Sequence, residues 1–270
     1  MPVGRSDGTL VTPDGRTRTY HLYVPRGLDP AGAPLLVALH GGTGSGGQFE
    51  TTTGFDALAD RHRFVVVYPD GVGTGTAEDT LRTWNAGICC GPAVRKGVDD
   101  VGFVRRLIDT LSAKATIDPR RVFAAGHSNG AFMAYRLACE LSDRIVAVGL
   151  QAGGLGVPRC TPSRPVSLLH IHGTADTNVP IAGGTGSGIS GVTFPPLDQS
   201  LGIVTAAMGC NSMTGPTVSG RVTTTQWTRG GGAVAVERRL VDGEPHRWIR
   251  VADFDSSTAI VDFLLAHPRA

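Results

Sequence analysis

The chain reads VFAAGHSNGAFMAYRLACEL over residues 122–141, and this stretch decides the fold. The apolar run Val122 to Ala125 predicts a buried strand, and Ala131 to Leu141 predicts a helix. Gly126 to Gly130, between them, is a G-x-S-x-G pentapeptide in a strand, tight turn and helix context. Such a turn strains its serine and projects the hydroxyl above the sheet edge. Ser128 is therefore the candidate nucleophile, although a glycine-rich turn with an incidental serine would give the same motif.

Attack by a serine develops negative charge on an oxygen, which two backbone N–H groups must receive. The first donor is expected at Asn129, because the residue after the nucleophile opens a helix whose N–H groups are unpaired. The second is expected in a loop after an early strand, and residues 39–44, LHGGTG, supply that loop. We place this donor at Gly42, with Thr43 as the near alternative.

A serine hydroxyl is a weak nucleophile and needs a histidine base. In chains with this elbow the order is serine, then acid, then histidine. We predict His246 as the base, because it lies in a turn-rich loop directly after the last predicted strand. His170 and His172 precede the acid and are expected to pack in the core, and His267 lies beyond the closing helix.

The histidine in turn needs a carboxylate to orient it, and we predict Asp176. This residue follows the strand Val166 to Ile171 through a glycine turn, so it lies at the same sheet edge as Ser128. The competing candidates, Asp198 and Asp242, are better explained as cap or turn residues.

Four residues are predicted to contact substrate. Trp84 and Trp248 could form an aromatic wall, and core or rim packing is the alternative for each. His127 adjoins the nucleophile, and Thr43 adjoins the predicted oxyanion donor.

Composition limits the class of protein. The 270 residues suit one α/β domain over residues 1–270, with 41% hydrophobic residues. The net charge is +2 with scattered basic residues, which argues against nucleic acid as a partner. No apolar run is long enough to cross a membrane, and no H-E-x-x-H or Cys/His spacing suggests a metal. We expect no metal, no membrane partner and a monomer.

The sequence begins without the basic and apolar regions of a secretion signal, so the protein is cytosolic or is a mature form without its leader. The cysteines favour a secreted protein. We expect two disulfides and one free thiol, with no bond between the adjacent Cys89 and Cys90 because that ring is strained. Five reduced, buried cysteines are the alternative. The cysteines are Cys89, Cys90, Cys139, Cys160 and Cys210.

Strand and helix patterns alternate along the chain, which predicts a doubly wound α/β fold. A hairpin is expected to join Thr9 to Thr12 with Thr17 to Val24. Asp99 and Asp100 are expected to cap a helix, and Gly183 to Gly188 to form a mobile surface loop. Buried strands are expected over residues 34–39, 64–68, 122–125, 145–150 and 166–171, with a later strand near 233–240 and a closing helix near 258–265.

With these residues in place, the chain resembles the polyhydroxybutyrate-depolymerase-like and feruloyl-esterase-like group of secreted α/β-hydrolases. One departure lies around the base, where EPHRW (residues 244–248) stands in place of the usual Gly-Gly-His-Trp-Trp or Gly-His-x-Trp-Pro. The matching segments are residues 39–42 (LHGG), 83–87 (TWNAG), 89–91 (CCG), 98–101 (VDDV), 126–130 (GHSNG), 172–176 (HGTAD) and 179–180 (VP).

The resemblance implies an α/β-hydrolase fold with a mostly parallel central sheet and helices on both faces. It also implies a Ser-Asp-His esterase without cofactor, together with disulfides and secretion. The substrates implied are feruloyl or acetyl esters of plant polysaccharide, with polyhydroxybutyrate or another polyester as the alternative. A non-catalytic binding protein on the same scaffold is the alternative from another class, and a peptidase or a metal-dependent hydrolase is less favoured.

Overall fold

The computed structural model describes residues 1–188 and 191–269. The strands are β1 (Gly4–Val11), β2 (Thr17–Val24), β3 (Ala33–Leu39), β4 (Val65–Pro69), β5 (Val72–Thr74), β6 (Thr80–Thr83), β7 (Ile117–His127), β8 (Ala147–Gln151), β9 (Ser167–Gly173), β10 (Gly184–Thr185), β11 (Thr193–Phe194), β12 (Ser212–Ser219), β13 (Val222–Arg229), β14 (Val234–Val241), β15 (Arg250–Val251) and β16 (Phe254–Asp255). The helices are α1 (Gly46–Thr53), α2 (Phe55–His62), α3 (Gly91–Arg95), α4 (Asp100–Lys114), α5 (Asn129–Glu140), α6 (Leu197–Ala207) and α7 (Ser256–Ala266), with a short 3₁₀ turn at Gly230–Gly232.

The main sheet has ten strands in the order β1-β2-β4-β3-β7-β8-β9-β14-β13-β12. The central strands from β4 to β14 pair in parallel, and the two ends of the sheet are antiparallel. The predicted mostly parallel sheet is therefore confirmed. Parallel strands are covered on both faces, which explains why β3, β4, β8 and β9 are buried at every position.

Helices cover both faces of this sheet. Apolar side chains of α4, α5 and α6 pack in one cluster, and those of α1, α2 and α7 pack in a second. Alternate residues of one strand enter opposite clusters, so Leu35 and Val37 join the first while Leu36 and Ala38 join the second. Within residues 1–188 and 191–269, no helix is long and apolar enough to cross a membrane.

The predicted elements differ from the structure mainly at the edges of the fold. The hairpin of β1 and β2 is confirmed, with Val11 opposite Thr17. The hairpin of β12 and β13 was not predicted, because β12 is exposed at every position and carries no apolar alternation. The predicted mobile loop at residues 183–188 instead contains β10, which pairs with β11.

The adjacent acidic residues at the start of α4, Asp99 and Asp100, have different structural roles. Asp99 caps the helix as predicted, accepting a hydrogen bond of 2.8 Å from the Gly102 N–H. The prediction for Asp100 was wrong, because its carboxylate is buried and receives Nη2 of Arg18 at 2.8 Å and the Asn85 N–H at 2.7 Å. Burial raises the pKa of Asp100, while Arg18 opposes the rise. The ion pair of Arg18 and Asp100 thereby anchors the segment around Asn85 to the sheet.

Two disulfides and one thiol are present, as expected, but one pairing differs. Cys139 bonds to Cys160, while Cys89 bonds to Cys90, so the prediction that the adjacent pair would not bond was wrong. Cys210 is free and lies near Val236.

Removing the Cys139–Cys160 disulfide should destabilise the fold, because the bond closes a 21-residue separation in the unfolded chain. We expect the Cys139→Ser, Cys160→Ser double variant to lose about 3 kcal/mol of unfolding free energy in urea titrations. Cys210→Ser, which breaks no bond, is the matched control and should unfold near the wild-type midpoint. Equal midpoints for both variants would contradict the pairing.

Candidate active site

The turn between β7 and α5 carries Ser128 in a strained backbone conformation, with φ 54° and ψ −121°. Such a positive φ is unusual for a residue with a side chain, and it turns the hydroxyl away from the sheet. The flanking glycines make this turn possible. A Cβ at Gly126 would overlap the carbonyl oxygen of Gly130, and a Cβ at Gly130 would overlap the carbonyl oxygens of Leu39 and His40.

The structure brings Ser128, His246 and Asp176 into one hydrogen-bonded row. Nε2 of His246 lies 3.0 Å from Oγ of Ser128, and Nδ1 of His246 lies 2.7 Å from Oδ2 of Asp176. A carboxylate can only accept, so Nδ1 carries a proton and Nε2 is free to take the serine proton. The competing acids lie elsewhere, as Asp198 pairs with Arg238 and Asp242 accepts from Thr174.

The carboxylate of Asp176 is held ionised. Its Oδ1 accepts the backbone N–H groups of Asn178 and Val179, both at 2.9 Å. Burial acts to raise the pKa of Asp176, but hydrogen bonds from His172 and His246 outweigh it and hold the pKa below its ordinary value. The group therefore stays negative and can stabilise a positive charge on His246.

An anchored loop presents His246. Glu244 is buried at its start, and its carboxylate pairs with Arg221 at 2.8 Å and with Arg247 at 2.7 Å. The Glu244 carbonyl also accepts the Ala175 N–H at 3.0 Å, which ties this loop to the loop that carries the acid. Glu244 and Arg247, at which the sequence departs from the family that it resembles, thus fix the predicted base His246 in place.

The loop after β3, residues 40–44, is the predicted oxyanion loop, and it faces the turn that holds Ser128. Gly42 lies beside Asn129, since a Cβ at Gly42 would be 3.7 Å from the Asn129 Cβ. The Thr43 N–H is occupied by the Arg82 carbonyl at 2.7 Å, which removes Thr43 as the alternative donor. Across residues 1–188 and 191–269, neither the Gly42 N–H nor the Asn129 N–H has an acceptor. Both remain available to a substrate oxygen.

His40 fixes the shape of this loop. Its Nε2 accepts the Gly71 N–H at 2.9 Å, so its Nδ1 carries the proton and donates to the Gly41 carbonyl at 2.7 Å. Burial lowers the pKa of His40 to about 4. The ring therefore stays neutral and acts as a rigid bracket.

Trp84 does not line the site as the sequence suggested. Its side chain is completely buried, and its Nε1 donates to the His40 carbonyl at 2.9 Å. The side-chain amide of Asn129 grips the Trp84 backbone, accepting its N–H at 2.7 Å and donating to its carbonyl at 3.1 Å. The prediction of an aromatic substrate wall was wrong for Trp84, which instead joins the oxyanion loop to the nucleophile turn.

Trp248 is also a packing residue, so its predicted substrate contact was wrong. Its Nε1 donates to Oγ of Ser257 at 2.9 Å, and its ring meets Phe49 and Phe55 edge to face. Sequence reasoning could not separate this outcome from a wall, because the tryptophan two residues after His246 suits either role.

A pocket of about 550 Å³ opens above Ser128. The predicted contacts His127 and Thr43 do line it. Burial, with His246 beside it, lowers the pKa of His127 to about 3, so this ring adds no charge next to the base.

Several pocket residues were missed from the sequence. Phe132 and Phe194 stack with ring centroids 5.3 Å apart and form one apolar wall. The Cys89–Cys90 disulfide also lines the pocket. Phe132 could have been found, because it lies one turn along the helix that Ser128 opens, but Phe194 follows a glycine-rich loop and carried no signal.

No cluster of three or more potential metal ligands occurs within residues 1–188 and 191–269. The buried carboxylate of Asp176 is accounted for by the hydrogen bonds described above. The geometry therefore supports proton transfer from a serine to a histidine, with backbone donors placed for a negative oxygen.

The sequence of the chain is similar to those of known proteins. The sequence model of a family described as "Esterase PHB depolymerase" matches residues 18–163. "Putative esterase NocK" of Nocardia uniformis subsp. tsuyamanensis is 34% identical over 236 residues, covering 86% of this chain and 61% of that protein. "Feruloyl esterase B" of Piromyces equi is 34% identical over 170 residues, covering 60% of this chain and 30% of that protein. The chain thus spans less than two thirds of the length of these curated relatives.

A solved acetyl xylan esterase from Aspergillus awamori has the same fold. Its TM-score is 0.64 at 15% sequence identity, over 89% of this chain and 94% of that chain. The expected α/β-hydrolase fold is confirmed by this likeness together with the sheet order.

The close contact at Gly130 should be essential. Gly130→Ala would push a methyl group into the Leu39 and His40 carbonyls and separate the oxyanion loop from Ser128. We expect fluorophosphonate labelling of Ser128 to slow at least tenfold, on the order of the 1–3 kcal/mol that overpacking costs. Gly202→Ala is the matched control, because no atom lies within 4 Å of the added methyl in α6. Equal labelling rates in the two variants would refute the constraint.

Proposed function

Because this chain belongs to the Esterase PHB depolymerase family, we propose that it is a serine carboxylic ester hydrolase that works through an acyl-enzyme. The row from Ser128 through His246 to Asp176 carries the proposal. It joins a strained serine, a histidine in the required tautomer and an ionised acid beneath two free backbone donors. A non-catalytic binding protein would not need these three side chains to be hydrogen-bonded to one another, so the same row argues against that function.

Acylation begins when Oγ of Ser128 attacks the ester carbonyl carbon and Nε2 of His246 takes the serine proton. The carbonyl oxygen becomes negative and accepts the N–H groups of Gly42 and Asn129. Asp176 stabilises the resulting imidazolium through its bond to Nδ1. His246 then gives the proton to the leaving alcohol, the carbon–oxygen bond breaks and the acyl group remains on Ser128.

Deacylation repeats these steps with water in place of the alcohol. Nε2 of His246 takes a proton from water, and the hydroxide attacks the acyl carbon. Collapse of the second tetrahedral intermediate returns the proton to Ser128 and releases the carboxylic acid. No cofactor enters this sequence of bond changes.

We propose feruloyl or acetyl esters of plant polysaccharide as the substrates. The stacked Phe132 and Phe194 suit a flat aromatic acyl group, since aromatic rings stack favourably in apolar pockets. One matching relative is named as a feruloyl esterase, and a structure with the same fold is an acetyl xylan esterase. The second candidate is a hydroxyalkanoate polyester, which the family description itself favours.

We further propose that the protein works outside the cytosol as a monomer. The support for export is the pair of disulfides, which persist in oxidising compartments. No nucleic acid is expected as a partner, because the net charge is only +2.

Removing any member of the row should abolish most turnover of a short-chain aryl ester. We expect kcat to fall by roughly 10⁴-fold or more for Ser128→Ala, His246→Ala and Asp176→Asn, because the three groups act as a unit. A fluorophosphonate probe should label the wild type and leave Ser128→Ala unlabelled. Near wild-type rates in the serine variant would end the proposal.

The aromatic wall should distinguish acyl groups. Phe194→Ala should raise KM for methyl ferulate about tenfold, the equivalent of losing part of a buried aromatic contact, and leave KM for an aryl acetate nearly unchanged. Trp248→Phe is the control, because its ring lies outside the pocket and should affect stability only. An equal KM change for both esters would argue against an aromatic acyl site, and turnover of amorphous polyhydroxybutyrate above methyl ferulate and acetylated xylan would favour the second candidate.

A further inference from the structure

Behind Asp176, a row of buried polar side chains runs into the core. The Tyr135 hydroxyl lies 2.8 Å from Nδ1 of His170, and Nε2 of His170 lies 2.9 Å from Nδ1 of His172. Nε2 of His172 lies 2.9 Å from the Val179 carbonyl and 3.2 Å from Oδ2 of Asp176. All three side chains of the row are at most 1% exposed. The ester hydrolysis steps above use none of them.

The hydrogen atoms of this row can be placed from its end at the acid. The Val179 carbonyl and the Asp176 carboxylate only accept, so Nε2 of His172 carries a proton. In a neutral ring Nδ1 of His172 then accepts, and Nε2 of His170 must donate to it. Nδ1 of His170 accepts in turn, and the Tyr135 hydroxyl donates. Every donor in the row therefore points toward the end of the row at the Val179 carbonyl and the Asp176 carboxylate.

If the hydrogen bonds of the row ran in the opposite direction, one hydrogen atom would have no acceptor. If His172 donated to His170 and His170 to Tyr135, the phenolic hydrogen would have no acceptor among the described residues. Burial also raises the pKa of Tyr135, so the phenol keeps its proton. Burial, His172 and the cation of Arg238 together hold the pKa of His170 well below its ordinary value, so that ring is neutral.

We propose that Tyr135, His170 and His172 are positioning residues that hold the Asp176 carboxylate toward His246. The inference rests on the proposed function, because it assigns a task to residues that never touch substrate. His172 acts at two points, since it contacts Oδ2 directly and binds the carbonyl of Val179, whose N–H binds Oδ1. Both carboxylate oxygens are thus fixed by one ring.

The row also sets the basicity of the site. An N–H dipole beside Oδ2 lowers the negative potential that Asp176 exerts on His246. Loss of that N–H leaves a more basic carboxylate, which stabilises the protonated imidazole of His246 more strongly. The groups that face this region are Asp176, His246, His127 and Arg238, and of these only Asp176 loses a direct contact when His172 is replaced.

The test compares pH profiles of kcat/KM for a short-chain aryl ester, with active sites counted by fluorophosphonate titration. His172→Phe removes the donor, and we expect kcat per titrated site to fall about tenfold, as for one lost charge-assisted hydrogen bond, with the acidic limb moved to higher pH. His172→Gln keeps an amide N–H of similar reach and should restore most of the rate and the wild-type limb. Tyr135→Phe removes only the first donor and should shift the limb in the same direction by less.

Tyr68→Phe is the matched control. It also removes a buried phenol hydroxyl that is bonded to a carboxylate, here Asp56 at 2.8 Å, but outside the row. It should change stability and leave the limb in place. If His172→Phe does not fold, Tyr135→Phe still tests the direction of the row.

The outcomes separate the inference from the proposed function. A wild type whose turnover does not depend on Ser128 would overturn the function. NMR titration of the His246 ring in the same variants detects the effect of the row on His246 without requiring turnover. An unmoved limb and an unmoved His246 titration in both His172→Phe and Tyr135→Phe, with Ser128-dependent turnover intact, would overturn the inference alone.

Discussion

The site depends on the close backbone contact between two turns at one sheet edge. Because β3 and β7 are adjacent parallel strands with Leu39 opposite Gly126, their ends deliver the oxyanion loop and the nucleophile to the same place. The contact is closer than any side chain allows, since a methyl group at Gly130 would meet the carbonyls of Leu39 and His40. The close approach requires a positive φ at Ser128, and the surrounding helix and sheet enforce this strained conformation. The proposed oxyanion donors are therefore positioned by backbone packing, and side chains only secure the arrangement.

Those side chains divide the charge of the site in a consistent way. Asp176 is buried and ionised because N–H groups surround it, whereas His40, His127 and His170 are buried and kept neutral. Burial favours the neutral form of an imidazole, and hydrogen bonds to an anion favour its charged form. No second imidazolium therefore stands beside His246, as its proposed role of base requires. The donor row from Tyr135 fits the same principle, because it brings N–H dipoles to the carboxylate without adding charge.

The residues predicted from sequence and those missed differ in the range of the interactions that place them. The proposed nucleophile, base and acid follow the ends of strands, where local pattern and chain order carry the information, and the structure brings these three side chains together. Trp84 and Trp248 pack in the core, although they were predicted to contact substrate, because a tryptophan beside a motif can face either the pocket or the core. The bond between Cys89 and Cys90 was not predicted, because the ring that it closes was expected to be too strained. The exposed strand β12 was not predicted, because its sequence lacks the apolar alternation that indicates a strand.

The sequence by itself determined the parallel sheet, the elbow and the order of serine, acid and histidine, because apolar periodicity and glycine spacing are local properties of the chain. Only the tertiary structure decided which N–H of the oxyanion loop stays free, since the Arg82 carbonyl that occupies Thr43 comes from another loop. It also decided the pocket wall, where Phe132 and Phe194 stack across 62 positions that no pattern links. Tertiary packing likewise turned two strand histidines into a row of donors behind Asp176. These features arise where distant segments meet, and contact between distant segments is the information that a single sequence does not state.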